Sequence, residues 1–346
     1  MTAQVFYAMR HNGGTSLKGR ILAVQHWRKP KVDDHALTNL WQMIKLWCSP
    51  ERPDTLVRAV CGNEAVEQRS DSEGYFDLLL PANIPEGEDI VIHLPESEKS
   101  DLISVEPKSP HANSRCLIVS DIDDTVMISH AAKTLTMIGM TLFGNALTRQ
   151  IFPGTPELYQ SLHHGTSGVE SEDNPFAFVS SSPYNLHGLI QLIFKENRIP
   201  RGAFFMTDWG IDHEKWFKKS HGDHKLGAIR DVMDWFPDRP VILIGDSGQH
   251  DPYIYKQVAE EFPGKVAHIL IRNVSTDSEI KDLREEMEKD GPLEAPLSFF
   301  KDSLEAAALL REGNWITEAQ FARTRSAFEE QSASPLDQLL HKSTKS

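Results

Sequence analysis

The rhythm of apolar and polar positions changes once along this chain, near residue 115. Before it, runs such as Gly19-Arg-Ile-Leu-Ala-Val, Asp54-Thr-Leu-Val-Arg-Ala-Val and Glu88-Asp-Ile-Val-Ile-His-Leu are apolar or alternating, with turn residues between them. Runs of this length bounded by turn residues predict strands. Asp71-Ser-Glu-Gly74 predicts a turn that feeds a further strand through Tyr75-Phe-Asp-Leu-Leu-Leu. The expectation for residues 1–107 is a β-rich, sandwich-like domain with a helical insertion over His35–Cys48. The polar stretch Glu96–Ser114 reads as its exit, with the linker itself at 108–114.

After Arg115, short apolar runs alternate with helical spacing. Strand candidates Cys116–Ser120, Phe176–Ser180, Ala203–Thr207, Val241–Gly245 and Val266–Ile271 are interleaved with helical stretches Pro156–Leu162, Tyr184–Glu196 and His224–Trp235. Such alternation predicts an α/β fold, a parallel sheet with helices on both faces. The expected catalytic unit is 115–295, followed by a helical tail over 296–346. No internal repeat is found.

The chain has 346 residues, enough for two domains with a sizeable core. Its formal net charge of −14 supplies no basic footprint for phosphate neutralisation, which argues against a nucleic-acid partner. It disfavours broad docking on anionic membranes but leaves room for a local, peripheral membrane contact. The cysteines, Cys48, Cys61 and Cys116, share no close spacing, which points to a reducing compartment rather than a disulfide framework or a zinc site. The N-terminal residues lack a basic stretch followed by an apolar core, and no run reaches the length of a membrane span. A cytoplasmic protein is the expectation.

Chemistry concentrates at strand ends, where ligands of open α/β sheets bind. The run Leu117-Ile-Val-Ser ends in Asp121-Ile-Asp123-Asp124-Thr125, paired acids for which a buried strand has no structural need. Phe-Ala-Phe-Val ends in Ser180-Ser181-Ser182-Pro183, hydroxyls and N–H groups suited to an anion. Val-Ile-Leu-Ile-Gly245 ends in Asp246-Ser-Gly-Gln-His-Asp251, and Lys225 lies between these last two on a predicted helix start.

These four segments, in order, resemble the haloacid dehalogenase-like superfamily of phosphotransferases over roughly 115–274. Asp121-Ile-Asp123-Asp-Thr125 matches its first motif, Ser180 its second, Lys225 its third, and Gly245-Asp246 with Asp251 its fourth. More narrowly, Asp-Ile-Asp-Asp-Thr-Val, Val-Ser-Ser-Ser-Pro-Tyr-Asn-Leu and Leu-Ile-Gly-Asp-Ser-Gly-Gln-His-Asp-Pro-Tyr-Ile-Tyr resemble the actin-patch-associated phosphatidate phosphatases. The resemblance implies a Mg²⁺-dependent phosphomonoesterase working through an aspartyl-phosphate, with a phosphate-ester substrate, most naturally a lipid such as phosphatidate. It implies Asp121 as nucleophile and Asp123 as acid and base. Ser180, Ser181 and Lys225 are implied at the phosphoryl oxygens, and Asp121, Asp123 (through its carbonyl) and Asp246 at Mg²⁺. Thr125 is implied as a loop brace acting through its side chain, and Asp251 as a supporting acid that orients Lys225 or a water.

Other readings stay open at this point. Ser180 also fits a helix N-cap, with Ser181 or Ser182 as phosphate ligand in its place. Lys225 also fits a solvated helix residue. His221, Asp223 and His224 fit a solvated loop better than a zinc site, and Asp124 is expected to carry no chemistry. About fifty-five residues separate the first two motifs and about forty-five separate Ser180 from Lys225, leaving little for a cap once the sheet is supplied. An open site suits bulky or surface-bound phosphoesters. The segments Met127–Phe152 and Trp209–Lys219 are weighed as membrane contacts against an ordinary packed flap and an ordinary loop. A protein or soluble phosphoester, and an inert phosphatase-like scaffold, remain the alternatives to a lipid phosphatase.

Overall fold

A computed structural model describes residues 1–23, 50–85, 87–97, 102–110, 113–128, 151–167, 172–207, 221–289, 291 and 293–333. The insertion expected over His35–Cys48, most of Met127–Phe152, and Trp209 to Lys219 lie outside these residues. Strands β1 (Thr2–His11), β2 (Gly14–Leu22) and β5 (Tyr75–Leu80) form one antiparallel sheet. A second joins β4 (Glu64–Arg69), β3 (Leu56–Cys61), β6 (Ile90–His93) and β7 (Ile103–Val105). Alternation decides what they bury: Val57, Ala59 and Cys61, Phe76, Leu78 and Leu80, and Ile90 and Ile92 share one core.

From β8 onward the chain builds an α/β layer. Six parallel strands run in the order β10-β9-β8-β11-β12-β13, namely Gly202–Thr207, Phe176–Pro183, Leu117–Ser120, Val241–Asp246, Val266–Arg272 and Leu297–Phe300. Parallel neighbours need crossovers, and helices supply them. These are α1 (Thr155–His164), α2 (His187–Glu196), α3 (His221–Trp235), α4 (Asp251–Glu261) and α5 (Asp277–Glu288). Helices α6 (Ser303–Glu312) and α7 (Glu318–Ser332) close the described chain. The central strands β8 and β11 read as unbroken apolar runs because both of their faces are covered.

Several elements depart from the expectations. β4 matches no strand candidate, and β7 falls inside the polar stretch Glu96–Ser114 read as the exit of the first domain. β1 was not anticipated, although Val5-Phe-Tyr-Ala-Met carries its apolar content. β13 falls inside the stretch read as helical and adds the sixth strand, its four residues being too short a run to register against flanking charge. β9 continues through Ser180 to Pro183, so the serines lie on a strand and not at a helix start.

Strand β1 also joins the two layers. A register shift between Val5 and Tyr7 leaves Phe6 as an extra residue opposite β2. A bulge of this kind breaks alternation and re-aims side chains. Phe6, Tyr7 and Met9 accordingly belong to the core of the parallel sheet, while Ala3 and Ala8 face the N-terminal core. Among the described residues, no helix is long and apolar enough to cross a membrane.

Candidate active site

The carboxyl ends of β8, β9 and β11 converge, and helix α3 delivers a lysine between them. Asp121 follows β8 directly; its N–H donates to the Ile244 carbonyl of β11 at 2.9 Å, which fixes the first turn of the loop. The loop reverses through Asp124, whose φ of 56° is left-handed, a conformation that Asp tolerates better than most residues. Asp124 N–H donates to the Met127 carbonyl at 2.7 Å, closing the turn. Asp121 is thereby buried at the sheet end with its carboxylate turned to Lys225.

Lys225 is buried as well and donates to two carboxylates, Asp121 Oδ1 at 2.8 Å and Asp251 Oδ1 at 2.6 Å. Burial alone pushes its ammonium down, but Asp121 and Asp251 more than offset this and hold it above its ordinary value. The solvated reading of Lys225 is therefore excluded. Asp251 sits in the first turn of α4, where the helix dipole favours negative charge. It approaches β11 closely: a Cβ on Gly245 would lie 2.5 Å from Asp251 Oδ2, so glycine is required there.

Asp121, Asp246 and Asp251 bring carboxylate oxygens within 4.8 Å of one another, all buried. Three carboxylates against one ammonium leave a formal charge of −2. The imbalance is visible in their ionisation. Burial, then the neighbouring acids, push Asp121 well up against the opposing pull of Lys225. Burial and Asp251 raise Asp246 to about 7. One Asp246 oxygen accepts from Gly248 N–H at 2.7 Å; its other oxygen and Asp121 Oδ2 are buried with no hydrogen-bond partner among the described residues. Buried polar atoms are rarely left unpaired. Two orphaned carboxylate oxygens at a net −2 fit a hard divalent cation, which prefers oxygen ligands. Asp251, expected only to support, is thus a third member of the acidic cluster.

Asp123 points to the other arm of the site. Its Oδ2 accepts from Ser180 Oγ at 2.8 Å and from Ser182 Oγ at 2.7 Å. Ser182 N–H in turn donates to Ser180 Oγ at 2.9 Å, so the serine arm is tied to itself and to the first motif. Ser180 is a strand residue bonded to Asp123 and not a helix cap. Thr125 is buried, but its hydroxyl has no hydrogen-bond partner among the described residues. The brace acts on its carbonyl instead, which accepts from Arg272 Nε at 3.1 Å. Arg272 ends β12, buried between the rings of Phe152 and Phe300 at 3.9 and 5.0 Å. Sequence reasoning missed it by ending that strand at Ile271; a fourth strand finishing in a polar residue was the available signal. Of the residues weighed for zinc, His221 has no described side chain, and the only metal-type cluster among the described residues is the aspartate one.

The carboxyl ends of the parallel sheet thus gather three acids, a buried lysine and a serine arm in one place. Residues 116–273 match the family described as "Phosphatidate phosphatase APP1, catalytic domain". The chain is 26% identical over 205 residues to phosphatidate phosphatase APP1 of Saccharomyces cerevisiae, an alignment covering 58% of this chain and 34% of that protein. It is also 26% identical over 161 residues to an uncharacterized protein of Schizosaccharomyces pombe, covering 46% of this chain and 25% of the other. The chain thus spans about a third or less of these relatives. A carbohydrate acetylesterase from Xanthomonas citri aligns in structure at a TM-score of 0.33 and 8% identity, over 90% of this chain and 75% of that one, too distant to inform the fold.

Proposed function

We propose that the chain is a divalent-cation-dependent phosphomonoesterase, with Mg²⁺ as the cation and a haloacid dehalogenase-like catalytic domain that acts on a lipid phosphate such as phosphatidate. The observation that carries this reading is the pair of orphaned, buried oxygens on Asp121 and Asp246 beside a lysine that is itself ion-paired. Asp121 and Asp246 are the residues to hold the cation, with Asp251 alongside. Once bound, the cation neutralises the shared negative charge and polarises the phosphoryl oxygens.

Asp121 attacks phosphorus, and the alkoxide leaves with a proton from Asp123, giving an aspartyl-phosphate. Asp123 then takes a proton from water as that water attacks the phosphorus and releases Asp121. Ser180 and Ser182 hold one Asp123 oxygen, which orients the other for these proton transfers. General acid–base help of this kind contributes about 10²–10⁴-fold. Lys225 and the serine arm, including Ser181, meet the charge on the transferring group. The lipid as substrate rests on the relatives' name; the net charge of −14 favours a soluble phosphoester instead. Phosphatidate vesicles and a panel of soluble phosphomonoesters, each with and without Mg²⁺, test both. Release of phosphate from the vesicles alone supports the lipid reading, and hydrolysis of soluble esters alone replaces it. No cation-dependent release from either leaves the acidic cluster without a catalytic role.

A further inference from the structure

Behind the serine arm, the segment that follows it is seated on the N-terminal sheet. Arg20 of β2 is 1% exposed, and its guanidinium donates to Asn185 Oδ1 at 2.5 Å. Its Nε finds no hydrogen-bond partner among the described residues, and its ion pair with the partly exposed Glu51 is long, at 3.4 Å. A cation this buried is costly; besides the Glu51 pair it lies 5.7 Å from the ring of Tyr75, its neighbour on β5, and its shortest bond is the one to Asn185. Asn185 lies three residues beyond Ser182, in a single 3₁₀ turn over Tyr184–Leu186. On either side of that bond the same segment meets aromatic rings. Phe6, the bulged residue of β1, stacks on Tyr184 with ring centroids 4.0 Å apart and planes 21° apart. Its edge meets His187 at 5.0 Å, and Tyr75 of β5 lies 5.6 Å from Tyr184. Gly19, which pairs with Val5 beside the bulge, has no room for a side chain: a Cβ there would lie 2.5 Å from both the Gln4 carbonyl and the Phe76 ring.

We infer that Arg20 and Phe6 are positioning residues for catalysis: the N-terminal sheet grips Tyr184 and Asn185 and thereby sets Ser180 and Ser182 against Asp123. Neither residue touches the reacting atoms. Both lie outside the matched segment 116–273, so that segment does not contain the full support of its own serine arm. The catalytic consequence rests on Asp123 acting as acid and base. The mechanical link rests only on the bonds above. A displacement of Asp123 by a fraction of an ångström lowers turnover without weakening ground-state binding, because orientation matters most in the transition state.

The test uses the full chain with Arg20→Gln, Asn185→Ala, the double variant and Arg20→Lys, assayed on a small aryl phosphate with Mg²⁺ and by peptide-resolved hydrogen exchange. Each of the first two is expected to lower kcat about tenfold or more, with KM within about twofold. The double variant should be no worse than the poorer single one, since both cut the same link, and Arg20→Lys should recover part of kcat. Amide exchange should accelerate in a peptide spanning 178–187 while peptides from β8 and β11 stay unchanged. A lower melting temperature with wild-type kcat overturns the inference, and so does faster exchange spread evenly over the parallel sheet. If the wild type hydrolyses no phosphoester but Arg20→Gln still loosens 178–187 alone, the mechanical link stands and the phosphatase reading falls.

Discussion

Asp246 is where burial and charge can be read most directly. Its carboxyl is raised to about 7 by burial and then by Asp251, so between pH 3.8 and about 7 the folded chain favours a proton there that the unfolded chain gives up. A raised acid binds more protons when folded; without a cation its contribution falls as pH climbs from 3.8 toward 7. A bound divalent cation reverses this by favouring the carboxylate. Mg²⁺ should therefore raise the melting temperature more at pH 8 than at pH 5, and Asp246→Asn should abolish most of that shift, as calorimetry with and without Mg²⁺ will show. His187 supplies an independent acid-side prediction. It is fully buried between Phe6 and Phe204, both ring nitrogens lack partners among the described residues, and burial lowers it from 6.5 to about 3. A base depressed in the fold binds its proton only when unfolded. Stability should therefore fall as pH drops from 6.5 toward about 3. Denaturant titrations of His187→Leu across that range should lack this part of the slope.

At the level of elements, the strand ends were the most legible feature of the sequence. Leu117-Ile-Val-Ser and Val241-Ile-Leu-Ile are buried on both faces, so they read as unbroken apolar runs, and the polar residues after them stand out. That is why Asp121, Asp123 and Asp246 could be named from the sequence; Lys225, on α3, came with the family resemblance, and it bonds Asp121. What pairs with what was not legible. The bonding of Ser182 to Asp123, the grip of Arg272 on the Thr125 carbonyl and the bulge at Phe6 depend on register, which residue types do not encode. β13 stayed hidden because four residues of an edge strand carry too little pattern. The end of β9 gives the element-scale prediction. Ser180 and Ser182 share one oxygen of Asp123, so losing either hydroxyl leaves the other bond in place. Ser180→Ala and Ser182→Ala should each lower kcat by about tenfold, and the pair by about a hundredfold or more, within the range that general acid–base catalysis supplies. Steady-state kinetics on a soluble aryl phosphate measures it, and a double variant no slower than the singles would free Asp123 from the serine arm.

For the whole molecule, the N-terminal sheets and the parallel sheet are joined by shared core and not only by chain. Phe6, Tyr7 and Met9 are buried among residues of β10, α2 and α3, with Tyr7 stacked on Phe205 at 4.9 Å. Lys108, inside the stretch read as a linker, pairs with Ala8 and Arg10 of β1 through its backbone. A chain beginning at residue 113 loses the burial of three large side chains at about 1.5–3 kcal/mol each, a large part of a typical net stability of about 5–15 kcal/mol. It should melt well below the full chain or fail to stay soluble; an unchanged melting temperature would make the N-terminal layer an independent addition. The proposed chemistry centres on phosphoryl transfer to Asp121. Acid quenching during turnover of an aryl phosphate, followed by peptide mass spectrometry, tests it most directly. One phosphoryl group, labile to hydroxylamine, should appear on the peptide containing Asp121 and be absent in Asp121→Asn, which should also have lost turnover while keeping its fold. Wild-type turnover in Asp121→Asn, or a phosphoryl group on any other residue, would contradict it.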